Sequence, residues 1–549
     1  MNILIEASKM SVATMKINNI YVHSKYNPLK EADSFIEKQY EIGKTYIIYG
    51  FGLGYIVDRL KEKRKADEKI VVIDPFINID REDSANVFYL DKKRQQQLKA
   101  YLTAILDDKD SSNIKVVCSI NYQNVDLLIH EETMEVLAET IKAIIINYNT
   151  IMVNSWGWYR NLIDNLKYAM NDLSIKVLYD KYACPVVVAA GGPSLSKQLP
   201  LLKKIANKCI IICAGSTIGT LLKNDIKPDY IVNVDGGQMN LQHYEKLKGS
   251  HIHYIYGLQS TEGIRSNFSG SCFYFSAYSE PLSEAFKTEV LPNVDKIEGG
   301  VTVASYALMI ASLITSGPVA LIGQDLAYTN GLSHAEGNVR NEKKELNEDY
   351  FYKKIIGYDG NEIFSDVNLI AMKHNIEQVL LTIKEKQLNQ IYNCTEGGAK
   401  IQYVEQVAFE AFVEQFLKED LEKNLINFEA SNSNFRDYRG FLNSGIEKLN
   451  IRVKNLKSWQ YKMRSNNYDL TNLKKEISKC NKLVYELNLQ VIVNMISVNM
   501  NKQFPKKVFE SKLDEAQYVL DKNKFVVNEF ISMFETTSLL FNEKIEGIN

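Results

Sequence analysis

Cysteine is scarce and scattered: seven residues in 549, with no Cys-x-x-Cys pair to suggest a zinc ribbon or a thiol redox centre. Cys209 and Cys213 fall within one apolar run, where core packing is the simple reading. Charge of either sign is not in excess. A formal net charge of −2 removes any bulk electrostatic case for nucleic acid or an anionic membrane surface. No apolar stretch approaches the roughly 20 residues that span a bilayer, so no integral membrane contact is expected. The N-terminus, Met1-Asn-Ile-Leu-Ile-Glu, lacks the basic region and apolar core of a secretory signal. There is no internal repeat and no low-complexity tract. Metal-ligating residues do not cluster: Asp235 is a lone acid in its turn, and His251-x-His253 lies on an expected strand. The expectation is a cytoplasmic, reduced, soluble protein without a bound metal or cofactor. A composition of 45% hydrophobic and 24% charged residues is that of a globular chain, and its length implies several domains.

What is present is a series of strand–turn–helix corners. The apolar run Pro185-Val-Val-Val-Ala-Ala190 reads as a buried parallel strand. It enters Gly191-Gly192-Pro193-Ser194-Leu195, where two glycines permit a tight turn and proline suits the first helical position. Such a corner offers unpaired amides and the positive end of a helix dipole to an anion. Further strands are predicted at 209–214, 230–234, 252–257, 272–275 and 318–323, with helical patterns between most of them. The predicted fold class is therefore α/β, with a central doubly wound, mostly parallel sheet. A first, Rossmann-like unit starts at Lys44-Thr-Tyr-Ile-Ile-Tyr49, passes through Gly50-Phe-Gly52-Leu-Gly54, and closes its second strand at Asp74, where a ribose-binding acid would stand. That glycine loop departs from Gly-x-Gly-x-x-Gly at Tyr55, which favours a structural relic over a dinucleotide or methyl-donor site. Strands are also predicted at Lys115–Ser119 and Val125–Ile129, and a mostly helical bridge at Thr133–Met170. From about residue 403, helical spacing such as Leu449, Val453, Leu456 and Trp459, then Leu483, Leu487 and Val491, predicts a C-terminal helical bundle with a break near Phe504-Pro505. The predicted domains are a cap segment at 1–40, a Rossmann-like domain at 41–178, a catalytic domain at 179–402 and a helical domain at 403–549.

In open parallel sheets ligands lie outside the carboxyl ends of the strands. That rule collects Gly191, Gly192 and Ser194; Gly215 and Ser216; Asp235 and Gly236; Gln259 and Ser260; and Gln324, Asp325 and His334, whereas Leu195, Gly300 and Thr302 are candidates only as members of motifs that carry a resemblance. Small residues admit a ligand to the backbone, while acids and amides orient hydroxyl groups.

Four motifs among these residues resemble a family. Gly-Gly-Pro-Ser-Leu, the Pro228-Asp229…Asp235-Gly236 segment, Gly299-Gly-Val-Thr-Val303, and Gly323-Gln-Asp-Leu-Ala…Ser333-His-Ala-Glu-Gly337 look like the motility accessory factor (Maf) proteins. The resemblance covers about 180–340, and the domain order agrees over most of the chain. Maf proteins are flagellin glycosyltransferases, moving a pseudaminic, legionaminic or related nonulosonic acid from a cytidine monophosphate (CMP) carrier to Ser or Thr. The core is more distantly similar to bacterial sialyltransferases, whose turn reads Gly-Asn-Gly-Pro-Ser-Leu. Gly191 stands at their asparagine, and Cys213-Ala214 stands at their Cys-Asn pair. Both departures remove polar donor contacts.

The resemblance implies CMP-nonulosonate as donor substrate and flagellin as partner; the lack of a clustered metal-ligand set leads to the expectation of a metal-independent reaction. Its demands are positioning, anion stabilisation and a base for the acceptor hydroxyl. Ser194 and the 192–195 amides would hold the phosphate or ribose, while Asp235 and Gln259 would bind hydroxyls. His334 would be the base, with Asp325 orienting it or capping the following turn, and Arg265 or Arg340 would meet the sugar carboxylate.

Two other classes compete. A pterin pyrophosphokinase shares the Gly-Pro-Ser-Leu turn and the Pro-Asp…Asp-Gly segment, but its Mg-ATP chemistry predicts Asp-x-Asp-Gly where this chain has Asn233-Val-Asp235-Gly. A non-catalytic flagellin-binding chaperone would use the amphipathic C-terminal helices.

Overall fold

The computed structural model describes residues 1–65, 68–84, 86–106, 110, 113–278, 280, 282–338, 343–348, 351–421, 438–465, 468–504, 509 and 511–547. The chain divides into two compact units. The first comprises Met1–Ser155, Leu456–Tyr468 and Val491–Ile531; the second comprises Trp156–Asn455, Asp469–Gln490 and Ser532–Asn549.

The first unit opens with a three-stranded antiparallel sheet, β1 (Ile3–Ala7), β2 (Ala13–Ile17) and β3 (Ile20–Tyr21), where the sequence showed little pattern. A helix follows at Pro28–Gln39; Asn27 caps it by accepting from the Lys30 amide, and Pro28 stands where a missing N–H is harmless. The Rossmann-like sheet is β4 (Thr45–Tyr49), β5 (Ile70–Ile73), β6 (Val87–Leu90) and β7 (Ile114–Cys118), all parallel and ordered β6-β5-β4-β7. Every residue of β4 and β5 is buried, as near-continuous apolar runs require. The strand predicted at 125–129 is instead a short turn at Tyr122–Asn124 and the start of a helix at Leu127.

That helix, Leu127–Ala169, is 43 residues long. By length and composition it is apolar enough to cross a bilayer, with a window of mean hydropathy 1.3, contrary to the expectation of no such stretch. Asparagines and tyrosines interrupt its apolar run, which hid the length from a residue-by-residue reading. Ile144 and Tyr148 are buried in the first unit, whereas Ile146 and Val153 are exposed.

The second unit is built on a sheet of ten described strands, all paired in parallel. They are β8 (Leu173–Ser174), β9 (Val186–Ala189), β10 (Ile210–Ala214), β11 (Tyr230–Asn233), β12 (His253–Gly257), β13 (Cys272–Ala277), β14 (Lys296–Ile297), β15 (Val319–Ile322), β18 (Ile391–Asn393) and β19 (Glu405–Gln406). An antiparallel hairpin of β16 (Tyr352–Ile356) and β17 (Glu362–Asp366) lies outside that sheet. The six strands expected from sequence are all present within two residues of their predicted ends. The order β14-β13-β12-β11-β10-β9-β15-β18-β19 reverses direction between β9 and β15, with β8 beside β13. The helix Val303–Ile314 packs against the sheet, and nine of its twelve residues are buried.

The C-terminal region is helical at Phe409–Phe416, Tyr438–Arg464, Leu470–Glu486, Gln490–Gln503 and Lys512–Glu546. The spacing noted there faces inward at Leu449, Val453, Leu456, Leu483 and Leu487, while Trp459 and Val491 are half-buried. Pro505, like Arg340, lies outside the described residues.

Candidate active site

The reversal between β9 and β15 is the place where an open parallel sheet parts its loops and leaves a crevice. The Gly191-Gly192 turn follows β9, and Gly323-Gln324-Asp325 follows β15. Gly192 donates to the Gly323 carbonyl at 2.8 Å. A Cβ at Gly192 would lie 2.1 Å from Asp325 Oδ1, so only glycine fits there. Ser194 is buried. Its Oγ donates to Asp325 Oδ1 at 2.6 Å, and its backbone amide meets both carboxylate oxygens at 3.2 Å. Leu195 is in the core and its amide donates to Gly192 O at 3.1 Å. The hydroxyl and amide of Ser194, expected to hold the donor phosphate or ribose, are thus taken by the Asp325 carboxylate, while the Gly192 and Leu195 amides bond to backbone carbonyls.

Asp325 also accepts from Thr329 Oγ1 at 3.3 Å, so it holds the turns together and does not orient His334. Burial pushes its carboxyl up to about 6, against the opposing pull of the Ser194 bonds. The Asn393–Ala399 segment, which sequence reading did not single out, packs on the same acid. Ala399 N donates to Asp325 O at 2.6 Å, and a Cβ at Gly398 would strike the Asp325 backbone at 2.2 Å. Gly397-Gly398 after a short apolar strand was the available signal. Gln324 is buried; its amide donates to Thr395 Oγ1 at 3.2 Å, and its Oε1 has no partner among the described residues.

A second cluster forms where β10 ends. Gly215 is buried because the Tyr244 phenol fills the space of its missing side chain. Ser216 is half-buried and its carbonyl accepts from Asn338 Nδ2 at 3.1 Å. Ala335 N donates to Gly191 O at 2.9 Å, which lays the 333–338 segment along the Gly191 turn. His334 is thereby brought beside that turn: its Cδ2 is 3.9 Å from the point a Cβ of Gly191 would occupy. Its Nδ1 is 2.9 Å from Ser333 Oγ.

Across β11 and β12 the turns are braced from behind. Asp235 is exposed, and its Oδ1 accepts from Gly237 N at 2.9 Å. Asn233 is buried and turns the chain: its Oδ1 accepts from Asp235 N at 3.1 Å and its Nδ2 meets Tyr254 OH at 3.3 Å. Asn161 Nδ2 donates to the carbonyls of Gly236 and Gln259, each at 3.0 Å. Asn165 does the same for Leu258 and Ser260, at 3.0 and 2.7 Å. Gln259 is half-buried, whereas Ser260 is buried with its hydroxyl turned inward to Gly257 O at 2.7 Å. Ser260 thus shapes the turn and presents no hydroxyl to a ligand. Glu280, also missed from sequence, accepts from Gln259 N at 3.0 Å and Ala277 N at 2.9 Å. Burial pushes its carboxyl up to about 7, against the pull of the amide bonds.

Two expectations are redirected. Thr302 caps the helix Val303–Ile314, accepting from Ser305 N at 3.0 Å, and Gly300 adopts φ +81° where a Cβ would strike Asn375. Their pattern is that of a helix start. Arg265 is committed to Asp172 through two bonds of 2.6 Å and to Phe268 O at 3.0 Å, so it is not available for a sugar carboxylate.

The glycine loop of the first unit is filled by the chain itself. Asp74 Oδ2 accepts from Phe51 N at 2.8 Å and Gly52 N at 3.3 Å. The Tyr122 hydroxyl donates to Asp74 at 2.7 Å and accepts from Gly52 N at 2.6 Å. His23 Nε2 accepts from Leu53 N at 2.8 Å. Asp74, fully buried, binds loop amides where a ribose-binding acid was a possible reading.

Comparison with known proteins gives two likenesses. The family model described as MptE-like 6-hydroxymethylpterin diphosphokinase matches residues 159–331. No curated protein matches the chain in sequence. Among solved structures, the MAf glycosyltransferase from Magnetospirillum magneticum AMB-1 superposes with a TM-score of 0.61 at 13% identity, covering 100% of this chain and 95% of that one. The chain therefore has the fold that the Maf resemblance implied, from end to end.

Proposed function

We propose that this protein is a glycosyltransferase that moves a nonulosonic acid from a CMP-sugar to Ser or Thr of flagellin, in the cytoplasm. The observation that carries the reading is the extent of the likeness. The similarity to a Maf glycosyltransferase runs through both flanking regions as well as the parallel sheet, whereas the pterin diphosphokinase model matches only 159–331. The buried, chain-turning role of Asn233 also leaves Asp235 as a single acid in its turn, which disfavours the diphosphokinase.

In the proposed reaction the acceptor oxygen attacks the anomeric carbon, the bond from that carbon to the phosphate oxygen breaks, and CMP leaves with the electron pair. His334 takes the hydroxyl proton. The half-buried position of His334 beside Gly191, with Ser333 on Nδ1, suits that task. Asp235 and Gln259 orient hydroxyls, while Ser194 and Asp325 keep the two central turns in register. The donor joins sugar to nucleoside through a single phosphodiester with no pyrophosphate to neutralise, so the reaction is proposed to need no metal.

The test is incubation of purified protein and flagellin with CMP-pseudaminic or CMP-legionaminic acid in EDTA, read by intact mass. A mass increment lost in His334→Ala supports the reading. Flagellin binding without any increment points to the chaperone. Conversion of a hydroxymethylpterin with Mg-ATP points to the diphosphokinase.

A further inference from the structure

All three carbonyls of the Asp235-Gly236-Gly237 turn are held by donors of the chain itself. Asp235 O accepts from Thr261 N at 3.0 Å and Gly236 O from Asn161 Nδ2 at 3.0 Å. Gly237 O accepts from the backbone N and from Nδ2 of Asn240, each at 3.0 Å. The Thr261 hydroxyl then shares its hydrogen between Asp235 O and Gly237 O, 2.9 Å from each. Thr261 is wholly buried and stands just beyond Gln259 and Ser260 on the turn after β12. It thereby joins the turn that carries Gln259 to the turn that carries Asp235. The Asp235 side chain is exposed; its Oδ1 accepts from Gly237 N at 2.9 Å, and its Oδ2 has no partner among the described residues.

The Thr261 hydroxyl is not needed to satisfy a buried carbonyl. Without it Asp235 O keeps the Thr261 amide and Gly237 O keeps Asn240, so no acceptor is orphaned. What the hydroxyl adds is a bridge between the first and last carbonyls of the turn, which fixes the backbone that bears the Asp235 carboxylate. Misplacing a group that orients substrate by about 1 Å can cost on the order of a hundredfold in rate. We propose that Thr261 is a positioning residue: its hydroxyl sets the Asp235 turn against the Gln259 turn and so aims the Asp235 carboxylate at the sugar-nucleotide donor. The proposal rests on the glycosyltransferase reading above and on the part that reading gives Asp235.

The experiment is steady-state transfer to flagellin from CMP-pseudaminic acid and from CMP-legionaminic acid, read by intact mass. Full-length wild type, Thr261→Val, Thr261→Ser, Asp235→Asn and the double variant Thr261→Val/Asp235→Asn are compared, each with its melting temperature. Thr261→Val is expected to melt within about 5 °C of wild type, since no carbonyl loses its last donor. Its kcat/KM for the donor should nevertheless fall about tenfold. Serine keeps the bridge, and Thr261→Ser should stay within about twofold of wild type. The double variant should be no slower than Asp235→Asn, because a residue that acts through Asp235 adds nothing once that carboxylate is gone. Wild-type kcat/KM in Thr261→Val, or losses that multiply in the double variant, overturn the positioning role while leaving the transferase reading in place. Full transfer by Asp235→Asn does the same. A Thr261→Val protein that does not fold makes the hydroxyl a requirement of the fold and also overturns the role. Folded wild type that transfers neither sugar overturns the transferase reading and the proposal with it.

Discussion

Asp325 holds Ser194 twice, through the hydroxyl at 2.6 Å and through the backbone amide at 3.2 Å, and so ties the turn after β9 to the turn after β15. Because the serine is buried beneath the turn, its hydroxyl has a structural task. Ser194→Ala is expected to lower stability by about 1–2 kcal/mol, and Asp325→Asn by about 3 kcal/mol, since the amide would turn a donor toward a donor. Denaturant unfolding measures both. CMP affinity in Ser194→Ala should stay within about twofold of wild type; a tenfold loss would show that the hydroxyl reaches the ligand.

The two adjacent glycines of that turn should respond in opposite ways. At Gly192 a methyl group meets Asp325 Oδ1 at 2.1 Å and the Gly323 carbonyl at 2.6 Å, so backbone must move. Gly192→Ala is expected to destabilise by about 3 kcal/mol or to prevent soluble expression. At Gly191 the nearest atoms are side-chain ends at 3.3 Å, and Gly191→Ala should fold with a melting temperature near that of wild type. Thermal melts of the pair decide it, and equal damage at both positions would refute the distinction.

Much of the fold was legible in the sequence, and the rest was not for identifiable reasons. Uninterrupted apolar runs such as Val186–Ala189 and Ile210–Ala214 mark buried parallel strands, so the central sheet was predictable. The glycines and acids after those runs mark the crevice edge. Sequence could not say which way a side chain turns, because that depends on partners more than a hundred residues away. Ser194 looks inward because Asp325, 131 residues on, waits there. Glu280 was invisible, being an isolated acid without a motif. Asn161 and Asn165 were hidden likewise, lying on a helix well outside the predicted catalytic domain.

The glycine loop of the first unit should bind neither NADH nor S-adenosylmethionine. Asp74, Tyr122 and His23 take the amides of residues 51–53 that a phosphate or ribose would need, and the Tyr122 ring lies 2.3 Å from where a Cβ of Gly50 would be. Fluorescence or calorimetric titration should show no saturable binding at millimolar ligand. Saturation by either compound would mean that these side chains yield.

His23 gives the same loop a pH dependence. Burial pushes the imidazole down to about 4 from its ordinary 6.5, and its Nε2 must stay unprotonated to accept from Leu53 N. A depressed folded value means that the stabilisation is complete above about 6.5 and is lost as pH falls through 4. The shift corresponds to ~3 kcal/mol at most. The melting temperature of wild type should therefore fall more steeply than that of His23→Gln between pH 6.5 and 4. Parallel curves would place the acid sensitivity elsewhere.

Glu280 titrates in the opposite sense. Its carboxylate joins the ends of β12 and β13 through Gln259 N and Ala277 N, and a Cβ at Gly257 would lie 3.2 Å from its Oε1. Since burial raises its folded value from 4.5 to about 7, the fold favours the protonated acid. Its stabilising contribution is thus complete below about 4.5 and fades as pH rises through 7, again by ~3 kcal/mol at most. Glu280→Gln does not titrate and presents an N–H to one of the two backbone amides, losing a bond at every pH. Wild type should therefore exceed the variant most at pH 5, with the difference in melting temperature shrinking toward pH 8. A constant difference would mean that the carboxyl ionises at its ordinary pH, and that solvent reaches the Gln259 turn from behind.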